Sequence, residues 1–192
     1  MIQSITLFMV RLFGWKVKGE LPPFKKYVLI GAPHTSNWDF ILMLAVSFSL
    51  KQKFHWMGKD NLFVWPFSKL FIWLGGIPIN RRVKSNAVQT VASKFQESDS
   101  MVLVITPEGT RKKVARWKTG FYFIALKAKV PVVLGFADYR KKEVGLGPSF
   151  LPTGDIEADF LFFENFYKTI TGKFSKKKGS ITHSVSERKA AE

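Results

Sequence analysis

A histidine and an aspartate five positions apart, His34 and Asp39 in the run His-Thr-Ser-Asn-Trp-Asp, are the residues best placed to do chemistry. Imidazole is the side chain that exchanges protons near neutral pH. A carboxylate within hydrogen-bond reach can hold one ring nitrogen, fix the tautomer and stabilise the imidazolium, leaving the other nitrogen to take a proton from a hydroxyl. The run follows a β-type stretch, residues 27–33, and leads into an apolar helical pattern over 40–50. The histidine therefore ends a strand, and the carboxylate falls in the first turn of a helix. A second reading of the same residues is structural: Ser36 with Asp39 three positions on fits a capping box, and His34 then only closes a buried strand.

The chain that must position this pair has 192 residues, 46% of them hydrophobic, enough for one domain with one core. Residues 1–15 place Ile2, Ile5, Phe8, Met9, Leu12 and Phe13 at spacings of three and four, which predicts an amphipathic helix. A connector follows, and Pro22 and Pro23 break it before the strand at Tyr27. The helix over 40–50 is apolar nearly all round, which predicts burial. Residues 54–58 give the next strand. Residues 61–74 carry large apolar side chains with Lys69 as their only charge; the pattern predicts two helical pieces broken near Pro66. They form a cleft wall or a membrane-contacting face, or in the plainer reading simply core.

A turn and short strand over 75–79 lead to Arg81 and Arg82, and Ser85 can cap a helix with Val88, Val91, Ala92 and Phe95 on one face. Residues 101–105 are a continuous apolar run of strand length, left by Thr-Pro-Glu-Gly-Thr-Arg at 106–111. A helix over 120–129, a buried strand over 130–135 and strand pieces over 143–151 come next. A last helix, started by Thr153 or Asp155, turns Ile156, Phe160, Phe163, Tyr167 and Ile170 inward. From Gly172 onward, lysines and serines predict a disordered basic tail.

Alternating strand and helix patterns predict an α/β fold: a single domain with a mixed, largely parallel β-sheet flanked by helices and an amphipathic N-terminal helix. The expected divisions are 1–26 for that helix and its connector, 27–171 for the domain, and 172–192 for the tail. In such sheets the loops leaving the carboxyl ends of strands build the site. The His34, Arg81 and Glu108 segments all leave strands in this way.

Composition narrows the chemistry. With no cysteine, disulfides, thiolate metal sites and cysteine nucleophiles are excluded together. Three histidines, at 34, 55 and 183, form no helical pair and meet no carboxylate cluster in sequence, so no metal is expected. Thirty basic residues against 14 acidic ones give a formal charge of +16, which attracts nucleic acid, acidic lipid or a phosphorylated substrate. An aromatic content of 15% tilts that choice toward a membrane interface, although interleaved bases and aromatics also suit single-stranded nucleic acid. Neither a run of about 20 apolar residues nor a basic n-region with a small-residue cleavage site occurs. The expectation is peripheral or monotopic attachment at the cytoplasmic face of a membrane, without a span or signal peptide.

Four ordered blocks resemble the glycerolphosphate acyltransferase family, the lysophospholipid acyltransferases that include 1-acylglycerol-3-phosphate acyltransferase. His34-Thr-Ser-Asn-Trp-Asp39 resembles that family's His-x4-Asp block. Gly76-Ile-Pro-Ile-Asn-Arg81 resembles its second block, Pro107-Glu-Gly-Thr-Arg111 its third and Val130-Pro-Val-Val133 its proline-centred fourth. Gly58-Lys-Asp-Asn-Leu-Phe63 is similar to the lysine-bearing stretch before the second block. The likeness covers about 27–137, and four blocks in order are far more specific than any one. Asn80 departs from the aspartate many members carry there, and the chain lacks their longer hydrophobic N-terminal region.

The resemblance implies acyl transfer from a thioester to a lysolipid hydroxyl, most closely 1-acylglycerol-3-phosphate to phosphatidic acid, with acyl-CoA or acyl-ACP as co-substrate and no other cofactor. His34 is then the base and Asp39 its orienting partner. Arg81 and Arg111 anchor the acceptor phosphate, because guanidinium gives bidentate contacts to phosphate oxygens. Glu108 binds an acceptor hydroxyl or orders the arginines, and Gly109, which allows the turn, and Thr110 belong with it to the substrate-binding segment. Lys59, or backbone amides near Thr35, stabilise the tetrahedral oxyanion. The lysine-rich end attracts anionic lipid or an acidic acyl carrier protein. Two alternatives stand beside this reading: another lysolipid acceptor, or a non-catalytic basic module that binds lipid or nucleic acid. With catalysis, no nucleic-acid partner is expected.

Overall fold

The computed structural model describes residues 2–79 and 87–183. Among these residues, seven strands form one mixed sheet in the order β1-β7-β6-β2-β5-β3-β4. They are β1 (Lys16–Lys18), β2 (Lys26–Ala32), β3 (His55–Lys59), β4 (Gly76–Ile79), β5 (Met101–Ile105), β6 (Val132–Asp138) and β7 (Glu143–Phe150). From β6 to β4 every neighbouring pair is parallel, for instance Val28 opposite Leu103 and Val132. Only β7 turns back, antiparallel to β6, with β1 parallel to it at the edge. The fold is thus a single α/β domain with a mixed, mostly parallel sheet flanked by helices.

Helices α1 (Ile2–Leu12), α2 (Trp38–Ser49) and α3 (Ser68–Trp73) lie on one side, and α4 (Ala87–Glu97), α5 (Gly120–Ala128) and α6 (Ile156–Tyr167) on the other. The strand alternation explains the two cores. Val28 and Ile30 of β2, Leu103 of β5 and Leu134 of β6 pack with Phe95, Phe121, Phe163 and Tyr167. Their neighbours Tyr27, Leu29, Val102 and Val133 face Val46, Leu42 and Trp15. Because helices cover both faces, the central strands read as unbroken apolar runs instead of alternating ones.

α2 departs from the expected burial. Its all-round apolar surface faces the sheet on one side only, and Trp38 and Ile41 are exposed. On α1 Phe8 and Leu12 are exposed too, as is Phe13 just after it; around α3 the same holds for Leu62, Val64, Trp65, Phe67, Leu70, Ile72 and Trp73. Residues 60–73 do form two helical pieces, a 3₁₀ turn at Asp60–Leu62 and α3, but as an outer layer and not as core. Phe63 and Phe71 are its attachment, both ringed around Trp56.

The stretch from Gly172, expected as tail, runs in defined contacts as far as His183. Lys178 Nζ donates to the carbonyls of Tyr167, Lys168 and Ile170 at 2.6, 3.1 and 2.9 Å, satisfying the free carbonyls at the end of α6. Trp117 N donates to Thr182 O at 2.7 Å, and Ile181 enters the core. Its basic composition hid this, because the anchors are one lysine, one isoleucine and backbone. Arg81, Arg82 and the expected cap Ser85 lie outside the described residues.

Candidate active site

The carboxyl ends of β6, β2, β5 and β3 share one edge of the sheet, and β2 and β5 meet there as a switch point. β2 continues through α2 on one face toward β3, whereas β5 continues through α5 on the other toward β6. Chains diverging in this way leave a crevice between the two strand ends, where ligands of open α/β sheets bind. His34 leaves β2 and Glu108 leaves β5, so both stand at that crevice.

His34 Nδ1 lies 3.0 Å from Asp39 Oδ2. The same oxygen accepts the backbone amides of Thr35 and Ser36, each at 2.9 Å. Asp39 thus reaches back over the start of α2, as the returning half of a capping box does, and also holds the imidazole; the other half is not formed, since Ser36 Oγ accepts Trp38 N at 3.2 Å. The other Asp39 oxygen, Oδ1, accepts from Tyr139 Oη at 2.7 Å. Burial by itself would raise the Asp39 pKa, but bonds from His34, Tyr139 and Ser36 together with the positive field of His34 outweigh it and hold the carboxyl below its ordinary value. An ionised Asp39 demands a proton on Nδ1, which leaves Nε2 as the basic nitrogen.

Glu108 is buried, 6% exposed, and its Oε1 accepts the His34 amide at 3.1 Å. The carboxylate therefore fixes the backbone that carries the imidazole. Its Oε2 is buried without a partner. Burial pushes the Glu108 pKa up, and the negative charge of Asp39 adds to this, against the opposing pull of the His34 amide. The turn after it requires Gly109, at φ +62°, whose Cβ would stand 3.0 Å from Lys118 Nζ. Arg111 is exposed and donates to Asn37 Oδ1, tying the turn after β5 to the start of α2. Thr110 is exposed, and its Oγ1 accepts Lys112 N at 3.3 Å within its own loop.

His34, Asp39, Glu108, Gly109 and Arg111 are thus brought to one crevice. Lys59 ends β3 on the same edge, two strands from His34, with its side chain outside what is described. The second arginine expected here, Arg81, is likewise outside the described residues. Of the amides near Thr35, those of Thr35 and Ser36 are already bound by Asp39, and that of Trp38 by Ser36 Oγ at 3.2 Å, so these are not free oxyanion donors.

Two site contacts escaped the sequence. Tyr139 follows β6 and is steadied by the edge of Trp15, 4.9 Å between centroids; no motif marks it, although a residue just past a buried parallel strand is a place to look. Lys118 lies nine residues beyond the glycine it covers. Among the described residues, no group of three or more metal-ligating side chains occurs.

The sequence pattern of the acyltransferase family matches residues 15–133, well over half of the chain. The chain belongs to the acyltransferase family. Catalytic acyl transfer in general, with an acyl-thioester donor and a lipid acceptor, follows from that membership, and the His34–Asp39 pair is consistent with its catalytic dyad. Among curated proteins, none matches the chain. Among solved structures, the 1-acyl-sn-glycerophosphate (LPA) acyltransferase PlsC of Thermotoga maritima is similar in fold, with a TM-score of 0.63 and 19% identity over 87% of this chain and 75% of that one.

Proposed function

We propose that this acyltransferase moves a fatty acyl group from acyl-CoA or acyl-ACP to the free hydroxyl of a lysophospholipid, foremost 1-acylglycerol-3-phosphate, giving phosphatidic acid. The observation that carries the reading is the imidazole held by Asp39 at the switch point, with its second nitrogen left for an acceptor hydroxyl. The acceptor oxygen attacks the thioester carbonyl while Nε2 takes its proton. The tetrahedral intermediate then collapses with cleavage of the C–S bond, and the imidazolium returns the proton to the departing thiolate. No enzyme-bound acyl group is needed, in keeping with the lack of cysteine.

Arg111 and Arg81 are assigned to the acceptor phosphate, where guanidinium gives paired hydrogen bonds. The partnerless Oε2 of Glu108 is assigned to an acceptor hydroxyl, and Lys59 to the oxyanion. The name of the similar Thermotoga maritima protein supports the acceptor. No helix among the described residues is long and apolar enough to cross a membrane. The exposed aromatic layer of α1, α2 and α3 is assigned to the outer half of one leaflet, a peripheral or monotopic attachment on the cytoplasmic side.

The test is product analysis by mass spectrometry with palmitoyl-CoA or palmitoyl-ACP, offering lysophosphatidic acid beside lysophosphatidylglycerol and lysophosphatidylethanolamine. Phosphatidic acid as the main product supports the assignment. Acylation of another lysolipid in preference keeps the reaction and replaces the acceptor.

A further inference from the structure

The end of α1 is geared to the residue behind it. Gly14, at φ +75°, stops the helix: Gly14 N donates to Arg11 O at 2.8 Å and Trp15 N to Val10 O at 2.9 Å, the paired bonds of a Schellman motif. Trp15 therefore follows the last turn of α1 in whatever orientation that turn takes. On the outer face of the helix Ile5, Phe8, Met9 and Leu12 are exposed, as is Phe13 just after it, whereas Val10 is buried. The beginning of α1 is tied to the end of α2 remote from Asp39, where Gln3 Nε2 donates to Ser49 O at 2.8 Å.

Trp15 leads to the carboxylate of the site through Tyr139. The two rings meet edge to face, 4.9 Å between centroids at 90°, and Tyr139 Oη donates to Asp39 Oδ1 at 2.7 Å. The turn that carries Tyr139, residues 138–142, is gripped from both sides. On one, Lys16 N donates to Lys142 O at 2.9 Å and Lys142 Nζ to Phe13 O at 3.3 Å. On the other, Tyr139 N donates to Thr171 O at 2.9 Å. With its backbone fixed, the phenol keeps the swing of its side-chain torsions, and the edge of Trp15 limits that swing.

We propose that Trp15 is a positioning residue of the His34–Asp39 pair: it couples the seating of α1 on a lipid surface to the Tyr139–Asp39 bond, so that turnover rises when α1 is seated. The inference rests on the acyl-transfer reading and on the assignment of α1 to lipid, and goes beyond both by joining them. A surface shifts an equilibrium only toward a state that it contacts better. Here that state is the formed last turn of α1. Phe8, Met9 and Leu12 leave water together only while the turn holds them on one face, and the same turn holds Trp15 against Tyr139. Tyr139 shares Asp39 with His34 Nδ1 and the amides of Thr35 and Ser36, which puts the coupling at the low end of the usual range, about five- to tenfold.

The experiment uses substrates that stay in water, octanoyl-CoA and a short-chain lysophosphatidic acid, so that vesicles act on the protein and not on substrate concentration. The kcat is measured with and without vesicles of phosphatidylcholine and phosphatidylglycerol for wild type, Trp15→Leu, Trp15→Phe, Tyr139→Phe and the variant carrying Trp15→Leu with Tyr139→Phe. Sedimentation reads vesicle binding, and circular dichroism sets equal concentrations of folded protein. Vesicles should raise the wild-type kcat by about five- to tenfold. Trp15→Leu should stay at the vesicle-free rate while still sedimenting with the vesicles, and Trp15→Phe, which keeps a ring edge, should recover most of the rise. In Tyr139→Phe the vesicle effect should shrink below about twofold, and adding Trp15→Leu should lower kcat no further, the non-additivity of residues that act through one another. A vesicle response retained in Trp15→Leu or in Tyr139→Phe, or additive losses of kcat, overturns the proposal and leaves Trp15 as packing. Wild type that sediments at an unchanged kcat overturns this inference alone. Failure to sediment defeats the assignment of α1 to lipid with it, and no transfer under any condition defeats the acyl-transfer reading itself.

Discussion

Replacing Tyr139 with phenylalanine isolates one arm of the site. The variant deletes the hydroxyl that donates to Asp39 Oδ1 at 2.7 Å and leaves the ring against Trp15. A hydrogen bond to a charged group contributes about 1.5–3 kcal/mol, and at 2–4 °C per kcal/mol for a chain of this length Tm should fall by about 3–12 °C. The carboxylate still has three donors, His34 Nδ1 and the amides of Thr35 and Ser36, so the imidazole keeps its partner. Tyr139→Phe should therefore lower kcat by about tenfold or less, whereas Asp39→Asn, which disturbs the tautomer, should lower it by about 10⁴.

The pH dependence gives Tyr139 a readout that packing alone would not move. The folded-state pKa of Asp39 is depressed, so its contribution to stability is present above the unfolded value and lost as pH falls through the folded one. Removing a donor moves the folded pKa up, and acid unfolding of the variant should begin at higher pH. The assays are thermal melts across pH 3–8, as an order-of-magnitude window around carboxyl titration, and initial rates at saturating donor. An unchanged acid limb and an unchanged Tm would refute the claim that the phenol supports the carboxylate.

Three further outcomes follow from the site and its surroundings. Glu108 has a raised folded pKa, so its contribution is fully present below the unfolded value and is lost as pH rises; Glu108→Gln keeps an oxygen for the His34 amide, and its Tm relative to wild type should climb as pH rises above the ordinary carboxyl range. A difference that stays flat there would contradict the burial argument. Gly109→Ala forces a Cβ into the left-handed region beside Lys118 and should cost about 1–2 kcal/mol, read as a Tm loss of about 2–8 °C; wild-type stability would deny the strain. Trp65, 89% exposed, and Trp73 should enter the lipid interface, so Trp65→Ser with Trp73→Ser should weaken vesicle binding by about tenfold or more without unfolding the domain; undiminished binding would move the membrane contact elsewhere.

The fold was largely legible because its strands are short apolar runs separated by turn residues and by helices. Met101–Ile105 has the bounds its pattern predicts, and α5 and α6 differ from theirs by a residue or a few. α6 starts at Asp155, whose Oδ1 accepts Ala158 N at 3.2 Å, settling which of two caps is used. What periodicity could not reveal was which apolar surface goes uncovered. α2 and residues 61–74 have core composition, yet much of their apolar surface stays exposed: α1 packs against α2 without covering Trp38 and Ile41, and among the described residues nothing covers Trp65 and Trp73. Nor could composition distinguish a loose basic tail from one pinned by Lys178 and Ile181.

At the site, local spacing sufficed for His34 with Asp39, since the start of α2 fixes both. The bond between Glu108 and the His34 amide spans 74 positions, and that between Tyr139 and Asp39 spans 100. Such pairings exist only once β2, β5 and β6 lie side by side. The same geometry removes a candidate: the amides of Thr35 and Ser36 are bound by Asp39, a use that spacing alone does not reveal.

The most direct test of the account is the rate of acyl transfer from palmitoyl-CoA or palmitoyl-ACP to lysophosphatidic acid by wild type and by His34→Ala, at equal concentrations of folded protein. The account predicts product with wild type and a loss of about 10²–10⁴-fold in the variant, the contribution of a positioned general base. Equal rates for the two proteins would remove His34 from the chemistry and contradict the account at its centre.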